Sequence, residues 1–100
     1  MGTFTYGPTT TGVAFDDRLL AHVRAVTITK LRRGESFLFT WLTDGEPVTQ
    51  HSVWMHPAVA MTFEVEAAAG RPLNMEWIDL LTKSANSGLG LTPLPEPEGT

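Results

Sequence analysis

The chain contains no cysteine, which excludes disulfides and thiolate metal ligation. No apolar stretch approaches the ~20 residues that a membrane-spanning helix requires. Met1-Gly-Thr-Phe-Thr-Tyr6 has no cationic start and no apolar run behind it, so no signal peptide is expected and a cytoplasmic location is the default. Positive charge is scarce as well: seven Lys+Arg stand against eleven Asp+Glu, a net charge of −4. A dedicated nucleic-acid binder usually has a basic domain, so the global field argues against that role. What is present is a globular balance, 42% hydrophobic and 18% charged residues, too apolar for a disordered chain. One hundred residues predict one domain with a modest core.

The patterning alternates between β and α periods. Thr3–Tyr6 and Gly12–Phe15 read as short strands around a hairpin loop at Pro8–Gly12, with β-friendly residues bounded by Gly and Pro. Asp16 and Asp17 mark a helix start, because a carboxylate there accepts free backbone N–H groups. Leu19, Leu20, Val23, Val26 or Thr27, and Leu31 then follow at helical steps, with Arg18, His22, Ala25, Thr29 and Arg33 on the opposite stripe. Val26-Thr-Ile-Thr29 is β-branched, so a strand at 25–31 is the alternative. The continuing stripe and Gly34 in the C′ position favour the helix.

Ser36–Thr43 is the strongest strand, apolar on both faces, and Asp44-Gly45 signals a hairpin back into Val48–Met55. Ala60–Glu66 alternates with Met61, Phe63 and Val65 inward. Asn74 is an expected N-cap for a second helix at Met75–Ala85, with Trp77, Leu80, Leu81 and Ala85 inward. Leu89–Thr92 reads as a short last strand. The predicted fold is α+β, order ββαβββα(β): a mostly antiparallel sheet of five to six strands with both helices on one face. Residues 1–92 form the domain, and 93–100, Pro93-Leu-Pro-Glu-Pro-Glu-Gly-Thr100, form a mobile, proline-rich acidic tail.

Catalytic chemistry finds no foothold in these residues. His51 and His56, with Asp44 and Glu46 nearby, are metal-ligand types, but an odd spacing on a strand points the two rings to opposite faces. No serine lies in a GxSxG context, and the loop before Val13 lacks the glycines of a phosphate cradle. The acidic pairs sit where caps, turns and wet strand faces place them anyway. No metal, cofactor or catalytic residue is therefore expected.

Two surface features remain. Lys30-Leu-Arg-Arg33 falls in the last turn of the first helix, where cations favour the dipole by ~0.3–1 kcal/mol each. With Arg18 and Arg24 it places five of the seven cations on one helix, a patch able to meet phosphates or an acidic partner. On its strand Trp54 opposes Val53 and Met55. If those two face the core, Trp54 is exposed beside His56 as a contact residue.

The whole chain resembles a family of roughly hundred-residue actinobacterial proteins of unknown function. The resemblance is carried by Phe4-Thr-Tyr-Gly7, Asp16-Asp-Arg-Leu-Leu-Ala-His22, Lys30-Leu-Arg-Arg-Gly-Glu-Ser-Phe37, Trp54-Met-His-Pro57, Leu73-Asn with Trp77, Gly90-Leu and Pro95-Glu-Pro97. Members often bear the label "ATP-dependent DNA ligase". The residues themselves read otherwise, since an adenylating ligase uses the lysine of Lys-x-Asp-Gly as its nucleophile. Here Leu42-Thr-Asp-Gly45 has leucine in that place. The sequence thus predicts a non-catalytic interaction domain that binds a protein partner or a second copy through Arg18, Arg24, Lys30, Arg32, Arg33, Trp54 and His56. The alternative is a nucleic-acid accessory protein associated with DNA ligation or repair, using the same cations, and a remote alternative, implied by the family label alone, is an enzyme related to ATP-dependent DNA ligases.

Overall fold

A computed structural model describes residues 1–8 and 12–98. Its elements are β1 (Gly2–Tyr6), β2 (Val13–Phe15), α1 (Asp17–Arg32), β3 (Phe37–Thr43), β4 (Thr49–Met55), β5 (Met61–Glu64) and α2 (Met75–Ala85). The α+β class, the two helices and the antiparallel strands are as expected. The strands do not join into one sheet, however. They form a three-stranded sheet of order β2-β1-β5 and a separate β3-β4 hairpin. β1 and β2 pair antiparallel, and the middle of their connecting loop, 9–11, lies outside the described residues. The expected last strand is reduced to a single parallel bridge between Phe39 and Leu91.

Helix α1 forms where its caps allow. Asp16 Oδ2 accepts from the Leu19 N–H at 3.1 Å. At the other end Gly34 takes φ +74°, and the N–H groups of Gly34 and Glu35 return to the carbonyls of Leu31 and Lys30, closing the free acceptors of the last turn. The β-branched run stays helical because Val26 and Thr27 are buried, so tertiary packing outweighs a propensity deficit of a few tenths of a kcal/mol per residue. α2 starts where Asn74 Oδ1 accepts from the N–H groups of Glu76 and Trp77.

The core lies between the sheets and the helices. Phe4, Phe15, Phe39 and Trp41 interlock across the two sheets, Phe4 edge-on to Phe39 at 5.7 Å and Phe15 edge-on to Trp41 at 5.6 Å. Tyr6 Oη donates to the Trp54 carbonyl and ties β1 to β4. Leu20, Val23 and Val26 of α1 and Trp77 and Leu81 of α2 complete the cluster. Truncating a fully buried leucine such as Leu81 typically costs about 2–5 kcal/mol.

After α2 the chain passes close to β3 at Gly90, which has φ +78°. A Cβ there would overlap the Leu38 carbonyl and sit 2.7 Å from Leu38 Cβ, so no larger residue fits without backbone movement. Beyond it Leu91 N–H donates to Leu38 O at 2.8 Å, and Thr40 N–H donates to Leu91 O at 2.9 Å.

Candidate interaction surface on helix α1

The five cations gathered on α1 by the sequence have three different employments. Arg18 is spent internally. Its Nε and Nη2 donate to the two carboxylate oxygens of Glu96 at 2.8 and 2.9 Å. Nη1 donates to Ala69 O at 3.1 Å, and Nη2 also donates to Pro72 O at 3.3 Å. The proline-rich acidic segment meets both helices as far as Pro97: besides Arg18 on Glu96, Asn74 Nδ2 donates to Glu96 Oε2 and to Pro97 O, and Trp77 Nε1 donates to Leu94 O. The Arg18 fork and the Asn74 amide hold the Glu96 carboxyl down to about 2. Asp17 is lowered too, first by a hydrogen bond from the amino group of Met1 and then by the Glu66 N–H.

His22, read from the sequence as part of the polar stripe, is fully buried. Its Nδ1 lies 2.8 Å from Arg18 O, and its Nε2 accepts the Asn74 N–H at 2.9 Å. These partners assign the neutral tautomer with the proton on Nδ1. The ring packs on Trp77 at 4.5 Å. His22 and Arg18 together anchor the start of α2 and the segment after Leu91.

Lys30 was expected among the solvent-facing cations. It is only 5% exposed, because it continues the buried stripe of Leu20, Val23 and Thr27. Its charge is matched by Asn86 Oδ1 at 2.7 Å and Glu35 Oε1 at 3.0 Å, with the Phe37 ring 5.8 Å away. That placement takes Lys30 out of any contact surface. Arg33 is exposed and caps the helix through its own N–H to Lys30 O.

Arg24 and Arg32 are different. Both are exposed, and among the described residues neither has a carboxylate within 4 Å. They flank a groove of about 530 Å³ between α1 and β5, lined by Thr27, Ile28, Leu31, Met61 and Phe63 together with Pro57 and Thr62. A second hollow of about 430 Å³ shares Arg24 and continues toward the N-terminal end of α1, past Val65, Gly70 and Arg71. The floor is mostly apolar and the rim is cationic. Thr27 Oγ1 in the wall is buried and has no hydrogen-bond partner among the described residues.

Trp54 is 55% exposed on β4, as the alternation of Val53 and Met55 implied. It does not line this groove, and neither does His56, whose Nδ1 accepts from the Ala58 N–H at 3.0 Å. Their neighbour Pro57 does. The structure therefore brings Arg24 and Arg32 together and leaves Arg18, Lys30, Trp54 and His56 elsewhere. The groove wall of Met61 and Phe63 was missed as a site, although their alternation on β5 had been legible as an inward face.

Among the described residues, no three His, Asp or Glu side chains converge to hold a metal ion, and no helix is long and apolar enough to cross a membrane. The fold and the groove define a small α+β domain with a cation-rimmed apolar groove. Residues 1–96 match a family described as a domain of unknown function, DUF7882, and the chain belongs to that family. No curated protein and no solved structure matches it.

Proposed function

We propose that this protein is a non-catalytic interaction domain whose contact surface is the α1–β5 groove and whose partner is an acidic protein segment carrying apolar side chains. The observation that carries this reading is the pairing of an apolar floor with two arginines, Arg24 and Arg32, that have no carboxylate partner among the described residues. Exposed cations beside an apolar surface give both a steering field and area to bury. A dedicated phosphate-binding face gets less support. Arg18 and Lys30 are already matched by Glu96, Glu35 and Asn86, and the net charge is −4.

The test is titration with a random copolymer of glutamate and tyrosine, which supplies acid and apolar groups without imposing a backbone geometry. The native chain is expected to bind it. The double variant Arg24→Glu/Arg32→Glu should bind at least about tenfold more weakly, since two rim charges contribute about 1.4 kcal/mol together. Equal binding by the two proteins overturns the reading. Tighter, steeply salt-dependent binding of duplex DNA, lost in the same variant, would move the assignment to the nucleic-acid alternative.

A further inference from the structure

We infer that the groove takes its partner as an extended strand added to the free edge of β5, with alternate acidic side chains directed to Arg24 and Arg32; this rests on the groove reading above. The backbone register carries the argument. β5 is the last strand of its sheet, in the order β2-β1-β5, with Tyr6 opposite Met61 and Phe4 opposite Phe63. The Gly7 N–H donates to Ala60 O at 2.7 Å. In an antiparallel ladder the hydrogen-bonded pairs alternate, so Ala60, Thr62 and Glu64 turn their N–H and C=O groups toward β1. Met61 and Phe63 turn theirs outward. Both of these residues line the groove, which puts at its mouth backbone groups that have no partner among the described residues.

Such an edge accepts another strand unless it is blocked. Edge strands are commonly blunted by lysine, proline or a bulge. β5 reads Met-Thr-Phe-Glu and has none of these. The dimensions also fit. The two hollows run along α1 from Ala21 to Arg32, roughly 16 Å at 1.5 Å per helical residue. That length holds about five residues of extended chain at ~3.3 Å each. In an added strand, side chains alternate between the two faces: the set turned toward α1 reaches Arg24, Ile28 and Arg32, which share one stripe of the helix at four-residue steps, and the other set turns away from the helix. A second copy is a poorer occupant, because two β5 edges meeting about a two-fold axis bring the same arginines toward one another.

The experiment uses a capped heptapeptide of alternating glutamate and valine, with an alternating lysine–valine peptide as control, titrated into the full chain and followed by amide NMR. The expected result is binding of the glutamate peptide only, with the Met61 and Phe63 amides shifting and becoming protected from hydrogen exchange. N-methylation of the peptide at successive positions should weaken binding at least tenfold at every second amide and little in between. Uniform tolerance of N-methylation, with binding still lost in Arg24→Glu/Arg32→Glu, overturns strand addition and leaves the groove reading standing. No binding at about 1 mM, a limit of roughly −4 kcal/mol, overturns it also, and the copolymer titration then decides the groove reading separately. Protection of Met61 and Phe63 in the peptide-free protein, accompanied by dimerisation, would replace the peptide with a second copy.

Discussion

Arg18 and Arg24 are the same residue type on the same helix, yet their surroundings give them opposite employments. Arg18 donates four hydrogen bonds and closes a network of Glu96, Ala69 and Pro72, joined through its own carbonyl to the buried His22. Arg24 has no carboxylate partner among the described residues and faces an open channel. One side of α1 uses polar groups to hold the molecule together, and the other leaves them available. The contrast shows that a basic stripe cannot be read by counting charges. What matters is which cations have already met an acceptor at hydrogen-bond distance, since such a pair offers a ligand little.

The comparison can be broken on the internal side first. His22→Ala should be the most damaging change, about 3 kcal/mol, because it leaves a cavity against Trp77 and strips the Asn74 N–H of its acceptor. Urea unfolding measures it, and a loss below about 1 kcal/mol would show that the anchor is dispensable. Arg18→Ala should rank next. Glu96 has its carboxyl held to about 2 against an ordinary 4.5, so the stability it contributes is complete above pH 4.5 and fades as pH falls toward 2. Arg18→Ala should flatten that part of the stability-against-pH curve, with the Asp17 share left in place.

Lys30→Met comes third, with a change of about 1 kcal/mol or less in either direction. The buried stem is replaced by a similar volume while the costly desolvation of the ammonium disappears. Arg24→Ala should be smallest, within about 0.5 kcal/mol, although the same position is expected to matter for peptide binding. If Arg24→Ala destabilises the fold more than Arg18→Ala, the division between the two sides of α1 is wrong.

The local signals were legible where the physics is local. Asp16, Asn74 and Gly34 marked helix ends because capping depends on residues a few positions apart. Val53 and Met55 fixed the outward direction of Trp54 by simple alternation. The separation into two sheets was not legible, since it depends on β1 pairing with β5 rather than with β3 or β4, a choice made between strands far apart in the chain. His22 and Lys30 were misplaced for a related reason. Both lie on faces that would be wet on an isolated helix, and both are buried by α2 and its flanking segments, which supply Asn74, Trp77 and Asn86. Leu80, expected inward, is 39% exposed, because the inner side of α2 is narrower than its apolar stripe. The α1–β5 groove needed the same long-range information, and only its two walls, read separately, were visible beforehand.

Gly90 carries a consequence for how the family can vary. Because one added carbon there collides with Leu38, the last stretch of chain is pinned at a single spot, much as a hasp depends on its pin. Leu94 and Glu96 meet Trp77, Arg18 and Asn74 a few residues beyond that point. Relatives are therefore expected to keep glycine at position 90 even where the residues after it drift, and a relative without it should have lost the matching arginine at position 18 too.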